Sequence, residues 1–269
     1  MTDQTWIPED VDTARPSIAR IYDFHIGGSH NLPVDREAAR DVVAMMPELP
    51  GIMRANRAFL ARCVEHLAGR GVRNFLDLGS GIPTEGNVHE IAQAVDPRAR
   101  VAYVDNDPVA VEHSRRILLG NDRAVAVNGD LRDPVAILSD PEVDQLVLGR
   151  AEPLAVLMSA VLHFVPDDAE AADLVAAYRD AIPSGSYLAV SHASHREESA
   201  ARIGRAAEQY SRKVAPMKLR SLEQVTDLLK GFDVLEPGVV YCEQWRPGPG
   251  DDPDPVYPLP QACALARKP

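Results

Sequence analysis

The stretch Asn74-Phe75-Leu76-Asp77-Leu78-Gly79-Ser80-Gly81 decides the fold. It is a short apolar run that ends in an acid and two glycines. A second apolar run, Val101-Ala102-Tyr103-Val104-Asp105-Asn106-Asp107-Pro108, ends in acids. The segment between them has room for one helix. Strand, helix and strand in this order make a βαβ unit, whose nucleoside crevice lies outside the carboxyl ends of the strands.

Upstream, the pattern is helical three times before the first strand. The first helix starts at Thr13 and stops at Gly27-Gly28. The second covers Arg36 to Met46, with Asp35 read as its N-cap and Pro47 and Pro50 as punctuation. The third runs from about Met53 to Ala68. Downstream, a helix is expected over Glu85 to Val95, and another opens at Asp107 with Pro108 in its first turn. Further strands are expected at Ala124–Asn128, Leu154–Ser159, Ser186–Ser191 and Phe232–Leu235. Pro166-Asp167-Asp168 opens a helix to Ala181, Glu197–Val214 is an extra helix, and Ser221 with Gln224 forms a capping box. Two segments, Val239–Trp245 and Gln261–Arg267, alternate well enough to be the last strand. The C-terminal one is taken as an antiparallel seventh strand. Strands alternating with helices indicate an α/β protein with a doubly wound, seven-stranded, mostly parallel sheet of the Rossmann-like kind. Residues 1–70 form an N-terminal helical extension that could fold over the crevice as a lid, and 71–269 the nucleoside-binding domain.

The chain has 269 residues and a formal net charge of -12. Such acidity disfavours a nucleic-acid partner unless a basic face is concentrated somewhere. The nearest approach is Arg202 to Arg220, read as a solvated helix face. No apolar run approaches the ~20 residues that span a bilayer, so no membrane partner is expected. The start, Met1-Thr2-Asp3-Gln4-Thr5-Trp6, does not read as a secretory signal. Cys63, Cys242 and Cys263 have no metal-ligand spacing, so no metal is expected, and a reducing cytoplasm fits three cysteines best.

The crevice side chains indicate which nucleoside it holds. A dinucleotide loop needs Gly-x-Gly-x-x-Gly and a helix N-terminus open to a pyrophosphate. Here Thr84 stands at the third glycine position, and Glu85 is expected to bring negative charge to the helix start. A phosphate-free cofactor with a positive centre fits better, and S-adenosylmethionine is one. Asp105 can accept from both ribose hydroxyls, with Asn106 beside it. Asp77 can order the loop or face the methionine ammonium. Asp130 can accept from the adenine amino group, while Leu131 packs on the ring. Gly79, Ser80 and Gly81 let the ligand approach the backbone. The plainer readings are that Asp105 and Asp130 shape turns and that Asp107 caps a helix.

These residues resemble a known group. The chain is similar to the actinobacterial S-adenosyl methyltransferase family once described as a domain of unknown function, within the class I methyltransferase superfamily. The resemblance rests on Arg15-Pro16-Ser17 with Arg20-Ile21-Tyr22-Asp23, on Gly27-Gly28-Ser29-His30-Asn31, on Asn56-Arg57-Ala58-Phe59-Leu60, and on Phe75 to Gly81. Gly86-Asn87-Val88-His89-Glu90, Val161-Leu162-His163-Phe164-Val165, Glu236-Pro237-Gly238 and Arg267-Lys268-Pro269 extend it. It implies the methyltransferase sheet and S-adenosylmethionine binding, but no particular acceptor. The loop departs from the superfamily's Asp-x-Gly-x-Gly-x-Gly, with Pro83 at the third glycine.

Methyl transfer is a displacement in which placement does much of the work; an alcohol or phenol acceptor also needs a general base, whereas a carboxylate acceptor can do without one. His163 and His192 are the candidate bases, although a buried histidine is more often structural. Ser159 after the fourth strand is expected to border the cofactor, and Tyr22 and Asn31 come from the N-terminal region that could fold over the crevice. Arg57 could pair with the methionine carboxylate or with a local acid. The expected partner is a small-molecule acceptor. The oligomeric state is not legible.

Overall fold

A computed structural model of the chain describes residues 12–83, 86–150, 152–196, 200–248 and 260–269. The acidic start, Thr84, Glu85, the expected beginning of the Glu197 helix and most of the proline-rich loop 247–260 lie outside them. Three helices come first: α1 (Ile18–His25), α2 (Pro33–Met45) and α3 (Leu49–Gly69). Then follow β1 (Asn74–Leu78), α4 (Val88–Val95), β2 (Arg100–Asp105), α5 (Pro108–Ile117) and β3 (Ala124–Asn128). The short α6 (Pro134–Leu138) and α7 (Pro141–Val143) lead to β4 (Leu154–Ser159), α8 (Asp168–Ala181) and β5 (Tyr187–Ala193). The last elements are α9 (Ala200–Lys213), α10 (Leu222–Leu228), β6 (Asp233–Val234), β7 (Val240–Tyr241) and β8 (Gln261–Arg267).

The strands join in the order β3-β2-β1-β4-β5-β8-β6, and β7 pairs β8 off that path. The first five are parallel, and β8 runs antiparallel against β5, β6 and β7. Both C-terminal segments therefore enter the sheet. Gln261–Arg267 is the long antiparallel strand, while Val239–Trp245 contributes two residues and then turns. The sheet's switch point falls between β1 and β4, where the strand order reverses, so the crevice opens there.

Alternating residues divide the core. Leu76, Leu78, Val104 and Val156 face one layer with Ile137, Leu174, Tyr178 and Leu228. Phe75, Val101, Tyr103 and Leu157 face the other with Phe59, Val64, Ala92 and Val111. Helix α3 thus packs directly on the sheet. The helices before β1 share the sheet's own core. Cys63, Cys242 and Cys263, far apart in sequence, meet as buried free thiols in that second layer.

Local signals explain most boundaries. Asp107 caps α5, accepting from the Val109 N–H at 2.8 Å, and Pro108 fills the first helical position. Ser221 and Gln224 close a reciprocal capping box. Three expectations need correction. Asp35 is not the cap of α2. It lies in that helix's first turn, fully buried, and accepts from the Leu32 and Ser17 N–H groups and from Arg20 Nε. Pro50 does not end a helix but sits in the first turn of α3, where a missing N–H costs nothing. Helix α4 starts at Val88, after Glu85, and the acid of its first turn is Glu90, which accepts from the Asn87 N–H at 2.7 Å.

Arg220 overturns the reading of the basic stretch as one solvated face. Its side chain is fully buried. It donates to the carbonyls of Leu162, Val165 and Asp167, bonds His192 Nε2 at 2.8 Å and pairs with Asp168. One guanidinium thus holds the loop between β4 and α8, which borders the cleft. Arg220→Ala takes the donor from the Val165 carbonyl and from His192 Nε2 in a buried place and should cost about 2–5 kcal/mol in urea unfolding. Arg220→Lys should recover little, because an ammonium cannot serve the same fork. Near-wild-type stability of either variant would contradict this role.

Candidate functional site

The parallel register brings the strand ends level. Leu78 lies opposite Val104, Asp105 opposite Asn128, and Ser159 opposite Ser191. The turns that follow these residues open on a cleft of about 780 Å³, within the usual range for a cofactor site. Its walls are the loop Asp77 to Gly81, Asp105 to Pro108, Gly129 to Arg132, and Ser159 to Val161. Tyr22 from α1 and Asn56 and Arg57 from α3 complete it.

Of the expected residues, Tyr22, Asp77, Gly79, Ser80, Gly81, Asp105, Asn106, Asp130, Leu131 and Ser159 all line this cleft. Asn31 does not. Its amide donates to Asp23 and to the Gly28 carbonyl, which ties off the turn after α1. The glycine pair there serves the same turn. A Cβ on Gly28 would meet the Asp23 carboxylate at 1.9 Å.

The loop after β1 is shaped by its own hydrogen bonds. Gly79 has φ +70°, and a Cβ there would strike Val161 at 2.4 Å. The Gly79 and Ser80 N–H groups both donate to the Val104 carbonyl, and Gly81 N–H donates to Asp105 Oδ2 at 2.7 Å. Every N–H of the loop's glycine-serine-glycine is therefore engaged within the chain. A pyrophosphate would find no donors in it, which excludes the usual dinucleotide grip. Asp105 Oδ1 accepts from the Asp107 N–H at 2.8 Å. Each Asp105 oxygen keeps a second lone pair for a ligand hydroxyl.

The electrostatics favour a cation. Burial pushes the Asp77 carboxyl up to about 7, with Arg57 drawing it down and Asp105 raising it further. Burial raises Asp105 to about 6, against the N–H donors of Asp107 and Gly81. Asp130 goes the other way, held low by Arg132 beside it. The rim also carries Arg15, Arg20, Arg57 and Arg132, but the two buried carboxyls, Asp77 and Asp105, match a positive centre placed beside them.

Helix α1 is fastened over one side of the cleft. Ser17 Oγ hydrogen-bonds Asp107 Oδ2, and the buried Arg20 reaches Asp107 at 3.5 Å and Asp35 at 2.8 Å. Tyr22 donates to the Met53 carbonyl and accepts from Asn56. Asn56 also meets Ser159 and accepts from Ser191 Oγ. Asn56 was missed from sequence, although a polar residue among Ile52, Phe59 and Leu60 on a buried helix face is a signal. Ala160 was missed too. It takes φ 56°, a conformation rare for alanine, and lines both this cleft and a second, apolar pocket.

The two histidines are spoken for. His163 Nδ1 accepts from the Ala193 N–H, so the neutral ring carries its proton on Nε2. Burial, with His192 and Arg220 nearby, holds its pKa well below the ordinary value. His192 is fully buried. Its Nδ1 faces the Ala193 carbonyl and its Nε2 takes the Arg220 bond. Neither ring offers an open lone pair.

Asp77 yields a stability test. Its folded pKa lies above the ordinary 3.8, so its favourable contribution is complete below about pH 4 and is lost as pH rises through 7. At pH 8 the ligand-free protein carries this charge at a cost, at most roughly 4 kcal/mol for about three decades. Asp77→Asn should therefore raise unfolding free energy at pH 8 and leave it nearly unchanged at pH 4. No gain at pH 8 would show that the folded chain already compensates the charge.

Residues 4–269 match the sequence profile of the S-adenosyl methyltransferase family. No curated protein matches the chain. Among solved structures, a candidate methyltransferase from Thermobifida fusca is 36% identical, with a TM-score of 0.91, over 98% of this chain and 99% of its own. A DUF574 family protein from Streptomyces avermitilis is 39% identical, with a TM-score of 0.88, over 96% and 99%. The chain belongs to the S-adenosyl methyltransferase family, and S-adenosylmethionine is its cofactor.

Proposed function

We propose that the chain transfers the methyl group of S-adenosylmethionine to a small-molecule acceptor. One observation carries this reading: the acid-rimmed cleft and a separate apolar pocket share the wall made by Ile18, Tyr22, Asn56, Ala160 and Phe164. A module that only senses the cofactor has no need of a second pocket opening on the same wall.

In this reading Asp105 accepts from the ribose hydroxyls, with Asn106 alongside. Asp130 accepts from the adenine amino group, and Leu131 covers the ring. Asp77 faces the ammonium, and Arg57 the methionine carboxylate. Gly79, Ser80 and Gly81 bound the ligand, and Tyr22 and Ser159 border the methyl side. The acceptor's lone pair forms the new bond to carbon as the sulfur–methyl bond breaks. The sulfur keeps that electron pair and becomes a neutral thioether, and the acceptor's proton passes to water. The chain contributes placement, and water rather than a histidine serves as the base, because His163 and His192 hold their lone pairs in fixed bonds. The N-terminal helices act as a lid fastened at Asp107.

Asp105→Ala should weaken S-adenosylmethionine by about 1.5–3 kcal/mol, the scale for hydrogen bonds to a charged group. Unaltered affinity in calorimetry, with the variant folded, would remove Asp105 from the site. Binding a cation favours ionised Asp77 and Asp105, so it should expel protons. Affinity should rise from pH 5 to about 7 and then level off; a flat profile would contradict the cationic rim. Incubation with methyl-labelled cofactor and cell extracts tests transfer itself. Persistent absence of labelled product, with binding intact, would favour a sensor.

A further inference from the structure

The apolar pocket is built from segments far apart in sequence. Helix α1 gives Ile18 and Ile21, the α2 region Val42, Met45 and Met46, and α9 gives Ile203, Ala207 and Tyr210. Met53 of α3 and Met217 add two more thioethers. None of its described lining residues is a Lys, Arg, Asp or Glu. Its volume is about 90 Å³, somewhat more than half of the ~150 Å³ cavity that accepts benzene. Four methionines in the wall can repack to fit a ring.

Tyr22, Asn56, His163, Tyr210 and Gln261 are the polar side chains of the described lining, and the last and His163 matter most here. Gln261, at the start of β8, is more than nine-tenths buried, and its Oε1 has no hydrogen-bond partner among the described residues. A buried orphan acceptor is costly unless a ligand donor satisfies it. His163 lines the same pocket and, with Nδ1 occupied by the Ala193 N–H, is a donor through Nε2.

We propose that this pocket holds the methyl acceptor and selects an uncharged, mainly apolar molecule of about one ring, whose O–H or N–H is read by Gln261 Oε1. This rests on the methyltransferase reading above. A carboxylate or phosphate is rejected, because no described cation in the lining meets it and desolvation goes unrepaid. The wall shared at Tyr22, Asn56 and Ala160 sets this molecule beside the methyl end of the cofactor.

The probe is p-cresol, with toluene and 4-hydroxybenzoate as comparisons. Each is titrated into the full chain with S-adenosylhomocysteine present and the methionine methyls carbon-13 labelled. We expect p-cresol to shift the Met45, Met46, Met53 and Met217 signals at millimolar concentration or below, toluene to do so more weakly, and 4-hydroxybenzoate not at all. Gln261→Leu should weaken p-cresol about fivefold and leave toluene unchanged. Ala207→Trp should weaken both at least tenfold while S-adenosylmethionine affinity, measured by calorimetry, stays within twofold. Should Ala207→Trp fail to fold, Ala207→Leu serves the same purpose. Absence of p-cresol shifts, equal binding of 4-hydroxybenzoate, or insensitivity to Gln261→Leu would overturn the proposal. These outcomes leave cofactor binding untouched, whereas loss of S-adenosylmethionine binding by the wild-type chain would strike the broader reading instead.

Discussion

Two carboxylates are kept buried at the ends of neighbouring strands. Asp77 and Asp105 stand in the last two residues of β1 and β2, and parallel pairing places those strand ends side by side. Burial pushes both toward the neutral form, helped by the charge of Asp105 at Asp77 and of Asp107 at Asp105. A fold that holds such groups in a cleft is less stable than one with neutral residues there. A cationic ligand offsets that penalty. The rest of the site can be understood as support for this arrangement: loop N–H groups turned inward, a glycine where Val161 leaves no room, and a helical layer closing one side.

That layer is joined to the sheet by polar contacts as well as by packing. Helix α3 contributes Phe59 and Val64 to the core, and the same helix carries Asn56 and Arg57 into the cleft. A single element thus serves the core on one turn and the cleft wall on the next. Arg220 plays the corresponding part below β4, where it adds a second donor to the Leu162 and Asp167 carbonyls and supplies the Val165 carbonyl. Removing the helical extension would uncover the α3-facing half of the sheet, so it is not a detachable appendage.

The parallel strands were legible in the sequence because a strand buried on both faces is a continuous apolar run, and Leu154–Ser159 and Ala124–Asn128 emerge with the expected ends. The acids at the cleft were legible because topology puts strand ends there. What escaped depends on long-range packing. Asp35 looked like a cap because it precedes a helical pattern, yet its partners are Ser17 and Arg20. Asn31 was grouped with the site by proximity in sequence, but a turn consumes its amide. Arg220 looked solvated among other basic residues, and only its carbonyl partners explain its burial. The apolar pocket is assembled from α1, α2, α3, the turn after β4, the end of β5, α9, Met217 and the start of β8, which no local pattern announces.

Asp107 has three attachments. Its side chain caps α5 through Val109 and also receives Ser17 and Arg20 from α1, and its own N–H holds Asp105 Oδ1. Lifting α1 away would therefore be transmitted, through Asp107, to the Asp105 carboxylate at the floor of the cleft. In the reading proposed above, in which Asp105 holds the ribose, the seating of α1 and the grip on the nucleoside are then mechanically coupled.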